Sequence, residues 1–143
     1  ICHPIDLIVK KNLTLNVPNQ TEWIINHYKE KGFGNNHCCI QVGYPESSFA
    51  YDIPYKDETE RQTSPCLRMI DTHIKGGKLH FAVTFRSWDL YAAFPTNIGG
   101  ITMLMEYMAN ELDIEVGPLS FSCLKLHCYD YQIEQVKNRL NID

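Results

Sequence analysis

Nowhere does this chain hold an apolar run approaching the ~20 residues that cross a bilayer, and no basic segment followed by an apolar stretch opens it as a secretory signal would. It has no Lys/Arg run either. Its 17 acidic residues outnumber its 13 basic ones and leave a net charge of −4, which argues against a general nucleic-acid binder, because neutralising many phosphates takes a basic face. There is no Cys-x-x-Cys pair, no internal repeat and no low-complexity tract. The six cysteines, Cys2, Cys38, Cys39, Cys66, Cys123 and Cys128, sit mostly in apolar, strand-like text and lack the loop spacing of a small secreted scaffold. Reduced thiols in a cytoplasmic protein are therefore the expectation. The triplets Asn12-Leu13-Thr14 and Asn19-Gln20-Thr21 match a glycosylation acceptor, but nothing else points to secretion. The chain opens at Ile1 and not at Met, which fits removal of residues from its front.

What is present suffices for a core: with 44% hydrophobic residues over 143 positions, one compact domain spanning residues 1–143 needs no disulfide staples. A helix is predicted from Gln20 to about Lys31, with Trp23, Ile24 and Tyr28 on one face and Gly32 and Gly34 stopping it. A short strand follows, Cys38 to Gly43. Residues 44–64, rich in Pro, Asp, Glu, Ser and Tyr, read as a long surface loop. Beyond Pro65, two extended runs, Cys66 to Ile74 and Lys78 to Arg86, flank the turn Lys75-Gly76-Gly77 and form a hairpin. Alternation puts Leu79, Phe81, Val83 and Phe85 on its buried face. A second helix is expected from about Asn97 to Leu112, with Ile101, Leu104, Met105 and Met108 inward, and Gly117-Pro118 closes the connection that follows. A strand from Leu119 to Tyr129 then leads into a short helix from about Tyr131 to Leu140. The interleaved order makes the class α+β with a mixed sheet.

Cys66 follows Pro65, which has no amide hydrogen to give to a ladder, so the thiol belongs where a loop joins a sheet. A reactive thiol needs a nearby cation or dipole, and Arg86 ends the strand returning beside it. From spacing alone, a buried structural cysteine and a surface arginine are the favoured reading. The run Arg86-Ser87-Trp88-Asp89-Leu90-Tyr91-Ala92-Ala93-Phe94-Pro95-Thr96-Asn97-Ile98 gathers a cation, a hydroxyl, a carboxylate and an amide between a strand and a helix. Taken singly, Ser87 and Asp89 also suit a turn cap, Asn97 a helix N-cap, and His127 and Tyr129 polar-tipped sheet positions. Trp88 and Tyr91 suit either a site lining or the core.

In its R-S-x-D and P-x-N-I elements this run resembles the signature of thymidylate synthases. Pro65-Cys66 resembles the proline and nucleophile of that family, Gly77-Lys78-Leu79 its hairpin turn, Glu115-Val116-Gly117 its post-helix turn, and His127-Cys128-Tyr129 its H-x-Y sugar motif, all in the family's order. The Pro-Cys-Leu context looks closest to the shorter archaeal members. The resemblance implies a thymidylate-synthase-like fold, of which this chain is the C-terminal portion, and reductive methylation of dUMP to dTMP. Cys66 would add to C6 of the pyrimidine, Arg86 and Ser87 would bind the phosphate, Asn97 the base, and His127 and Tyr129 the sugar hydroxyl. Asp89 would anchor 5,10-methylenetetrahydrofolate or a related reduced pterin. It also implies a homodimer with sheets packed face to face.

The chain departs from the family in places. Leu67 stands where most members have a histidine, Ala93 where most have a glycine, and Asn36 and His37 where adjacent arginines reach the partner's phosphate. The family's general-base glutamate and folate-stacking tryptophans precede anything matched here. Alternative readings are a pyrimidine nucleotide hydroxymethylase, disfavoured by Asn97, and a catalytically inactive nucleotide-binding relative. A zinc site from Cys123, His127 and Cys128, with His37, Cys38 and Cys39, has suitable ligand types but unsuitable spacing.

Overall fold

The computed structural model describes residues 19–43, 47 and 64–142. Helix α1, Gln20–Lys31, opens on Asn19, whose side-chain oxygen accepts the Thr21 amide at 3.0 Å. Strand β1, Cys39–Gln41, lies at one edge of a four-stranded sheet. Strands β2, Leu67–Lys75, and β3, Lys78–Phe85, form an antiparallel hairpin. Its turn has Gly76 at φ 60° and Gly77 at φ 73°, two successive left-handed residues that suit a two-residue connection matching strand twist. After the short β4, Trp88–Asp89, comes helix α2, Ala93–Glu111, which returns the chain to β5, Glu115–Cys123, running parallel to β3. The sheet order is β1-β2-β3-β5. Strand β6, Leu126–His127, pairs with β4 in a separate two-stranded ladder, and a 3-10 turn, Asp130–Gln132, feeds α3, Ile133–Leu140. The arrangement is α+β with a mixed sheet, as the sequence indicates.

The buried set follows the alternation. Leu79, Phe81, Val83 and Phe85 of β3 and Ile70, Thr72 and Ile74 of β2 point inward, against Ile24, Ile25 and Tyr28 of α1 and Ile101, Met105 and Met108 of α2, while Leu104 is half-buried. Trp23, expected on the inner face of α1, is 41% exposed. A polar tie fastens α1 to the hairpin: the Tyr28 hydroxyl lies 3.0 Å from the Thr72 carbonyl and 2.9 Å from Thr72 Oγ1, which in turn donates to the Cys38 carbonyl at 2.6 Å. Burial pushes the Tyr28 phenol up to about 12, so it serves as a neutral donor. Tyr28→Phe leaves the buried Thr72 oxygens short of that donor and is expected to cost about 1–3 kcal/mol. A lower urea midpoint at unchanged slope checks it.

Several boundaries differ from expectation. Helix α2 starts four residues before Asn97, because Pro95 falls in its first turn, where amide hydrogens have no intrahelical partner to lose. Gly117-Pro118 lies inside β5 and does not end a loop. A Cβ at Gly117 would sit 2.7 Å from the Leu79 carbonyl oxygen, so only glycine lets β5 approach β3 beside the irregularity between Leu79 and Phe81. The single strand expected from Leu119 to Tyr129 is broken after Cys123. The loop expected over residues 44–64 lies outside the described residues except for Ser47 and Ser64, as do Cys2 and the triplet at Asn12. Among the described residues no helix is long and apolar enough to cross a membrane.

Candidate active site

Two clusters meet where β3 gives way to β4. In the first, the hairpin register sets Arg86 opposite Cys66: the Arg86 amide donates to the Cys66 carbonyl at 2.9 Å. The guanidinium then reaches over the residues just before the cysteine, Nη2 donating to the Ser64 carbonyl at 2.8 Å and Nε to the Pro65 carbonyl at 3.3 Å. The Cys66 thiol is exposed and outside any disulfide. The cysteine and arginine thus share one strand end, as their spacing suggested. Arg68, which the sequence reading passed over, supports the same segment from below. It sits at the irregularity between Leu67 and Met69, and its Nη1 donates to the hydroxyls of Ser64 and Ser47, each at 3.2 Å and each on a buried serine.

The second cluster hangs on the β4–β6 ladder. Pairing of Trp88 with Leu126 and of Asp89 with His127 brings Ser87 beside the histidine, and Ser87 Oγ lies 3.3 Å from His127 Nδ1. Tyr129 lies beyond β6, with its ring edge-on to His127 at 5.0 Å between centroids. That contact brings the two side chains together, although they do not lie on one continuous strand. Trp88 takes both roles that the sequence left open. It is buried and stacked on Phe85 at 4.1 Å, and its indole N–H donates to Asn97 Oδ1 at 2.9 Å. Because an indole only donates, it fixes which way the Asn97 amide faces and leaves the NH2 end and the second lone pair of Oδ1 for a ligand. Asn97 is inside α2 and caps nothing.

Asp89 does act as a turn cap. Its Oδ1 accepts the amides of Tyr91 at 2.9 Å and Ala92 at 3.3 Å, while Oδ2 accepts from the Gln132 side chain at 3.2 Å. Burial opposes its charge, but the Gln132 amide, the two backbone amides and the His127 side chain outweigh that and hold the carboxyl below the ordinary carboxylate range. Gln132 was also missed. The one signal for it was its position three residues after Tyr129 at a helix start, the spacing of a capping pair.

Other candidates separate. Asn36 and His37 lie before β1, away from Arg86 in the chain's pairing order, and His37 Nδ1 faces His27 Nε2 at 3.4 Å. Among the described residues no group of three or more His, Cys, Asp or Glu side chains is placed to hold a metal. A shallow cavity lies against α1, lined by Glu22, Trp23, Asn26, His27 and Glu30, none of which is a candidate site residue.

A family model described as thymidylate synthase matches residues 50–143, a span that holds Cys66, Arg86, Ser87, Asp89, Asn97, His127 and Tyr129. The chain belongs to the thymidylate synthase family. Among similar thymidylate synthases, the one from Symbiobacterium thermophilum is 32% identical over 124 residues, covering 85% of this chain and 42% of that protein. The protein named "Putative thymidylate synthase" in Methanosarcina acetivorans is 33% identical over 81 residues, 57% of this chain and 37% of its own length. Its namesake in Methanocaldococcus jannaschii is 34% identical over 79 residues, covering 54% and 36% respectively. The chain therefore spans well under half the length of these thymidylate synthase relatives.

Proposed function

We propose that this chain carries the nucleophile and nucleotide-binding side of an enzyme that methylates dUMP to dTMP. The observation that carries the reading is the Arg86 guanidinium fastened to the two carbonyls immediately before the exposed Cys66 thiol. A cation fastened to the segment that carries the thiol suits a sulfur nucleophile, which needs positive charge nearby. In the proposed reaction, Cys66 Sγ bonds to C6 of the uracil ring and the C5=C6 electron pair moves toward the C4 carbonyl, which makes C5 nucleophilic. The C5 proton would pass to solvent water, and departure of Cys66 Sγ as thiolate would restore the C5=C6 double bond.

Ser87 and Arg86 would bind the phosphate, and with Ser87 in contact with His127 the phosphate and sugar would then lie side by side, as they do in a nucleotide. His127 and Tyr129 would hold the sugar hydroxyl. The Asn97 amide, oriented by Trp88, would donate to a uracil carbonyl and accept from the ring N–H, a pairing that an aspartate would reverse toward cytosine. A reduced pterin suits the remaining acceptor. Asp89 is held ionised with one lone-pair direction of Oδ2 beyond its three hydrogen bonds, which matches the N–H donors of a pterin edge. When bound, 5,10-methylenetetrahydrofolate supplies the one-carbon unit and the hydride that reduces it. A homodimer through the outer sheet face is part of the proposal, supported by exposed Met69, Asp71, His73, Ala82, Ser120 and Ser122 on the side opposite the core.

The test uses the whole protein that contains this chain, with dUMP tritiated at C5 and methylenetetrahydrofolate. Tritium release with a methylated product supports the proposal. A hydroxymethyl product assigns the hydroxymethylase alternative, and nucleotide binding without release assigns an inactive relative.

A further inference from the structure

Gln132 is the most deeply buried polar side chain among the described residues, at 2% exposure, and both ends of its amide are committed. Oε1 accepts the Tyr129 backbone N–H at 2.9 Å, and Nε2 donates to Asp89 Oδ2 at 3.2 Å. The amide can face only this way, since a backbone N–H requires the oxygen and a carboxylate requires the NH2. The ladder beneath it is short, with two residue pairs between β4 and β6 and backbone bonds from the Trp88 amide to the Lys125 carbonyl and from the Leu90 amide to the His127 carbonyl. Past that ladder, the hydrogen-bonded link from the Asp89 turn to the Tyr129 turn runs through Gln132.

We propose that Gln132 is a positioning residue that locks the carboxylate receiving the pterin to the segment carrying the sugar-binding tyrosine, so that one rigid unit receives both ligands. This rests on the function proposed above. Leucine at this position would fill the space yet leave the Tyr129 amide without its acceptor and Asp89 Oδ2 without its donor. Glutamate would keep the bond to Tyr129 but set a second carboxyl against Asp89, and two carboxyls so close share one proton. The bridge in that variant then exists only while the shared proton is present.

Gln132→Leu and Gln132→Glu in the whole protein test this with three readouts. The ligand-free carboxyl titration of Asp89 is followed by carbon NMR, dUMP affinity by calorimetry, and tritium release across pH. In Gln132→Leu the Asp89 midpoint is expected to rise and dUMP binding to weaken by roughly tenfold, the effect of losing a hydrogen bond to a charged group. Gln132→Glu, near-isosteric and so expected to fold even if the leucine variant does not, should stay close to the parent at acid pH. As pH rises and the shared proton leaves, it should fall to the leucine level. An Asp89 midpoint unmoved by either substitution, or a glutamate variant whose pH profile parallels the parent, overturns the proposal. If the parent binds no dUMP, the functional reading fails, while the ligand-free titration still decides the bridge.

Discussion

Cys66→Ser is expected to lower tritium release from C5 of dUMP by on the order of a thousandfold or more, while its urea unfolding stays within about 0.5 kcal/mol of the parent. The two halves of that result have separate causes. The side chain is exposed and outside any disulfide, so exchanging sulfur for oxygen removes little packing. The bond that registers this residue in the hairpin is its backbone carbonyl to the Arg86 amide, which serine keeps. The chemistry depends on the sulfur itself, because a thiolate is accessible near neutral pH and strongly nucleophilic, whereas a serine hydroxyl without an adjacent base is neither. A variant that folds normally and still exchanges the C5 hydrogen at the parent's rate would remove Cys66 from the reaction.

Much of this site was readable in the linear chain, for physical reasons that differ by residue. Cys66 and Arg86 were placed near each other in advance because a two-glycine turn joins their strands; the turn's own register would set Arg86 opposite Leu67, and the irregularity between Leu67 and Met69, which the sequence did not show, shifts it to Cys66. Ser87 and Asp89 followed from adjacency. Asn97 was named as a candidate, but its surroundings were not foreseen: Pro95 looked like a boundary although a first helical turn tolerates it. The indole that orients the amide comes from nine residues upstream. Arg68 and Gln132 escaped because their partners, Ser47 and Asp89, lie 21 and 43 residues away, and no periodicity marks a hydrogen bond made across folded elements. Tyr129 was assigned to a strand because alternation continues past β6, whereas the side chain of Gln132 turns the backbone there into a helix start.

Arg86 is expected to be intolerant of lysine as well as of alanine. Its Nε and Nη2 hold the carbonyls of two consecutive residues, a two-point grip from a planar fork that an ammonium cannot reproduce. Each such bond to a charged group contributes about 1.5–3 kcal/mol when shielded, but this side chain is exposed, so both substitutions should lower global stability by only about 1–2 kcal/mol. The local consequence is larger. Once the Ser64–Pro65 backbone is released, the segment that carries the thiol is no longer held at a fixed point, and misplacement of about 1 Å can cost a hundredfold in rate. Tritium release should fall by about a hundredfold in Arg86→Lys and further in Arg86→Ala, with weaker dUMP binding in both. Alkylation separates presentation of the thiol from binding of the phosphate. Cys128 is also exposed and lies outside the Arg86 grip, so it serves as an internal reference within the same molecule. The ratio of Cys66 to Cys128 labelling by iodoacetamide should drop in both variants with no nucleotide present. A ratio unchanged in Arg86→Lys, alongside weakened dUMP binding, would restrict the arginine to the phosphate and leave the sulfur dependent on some other group.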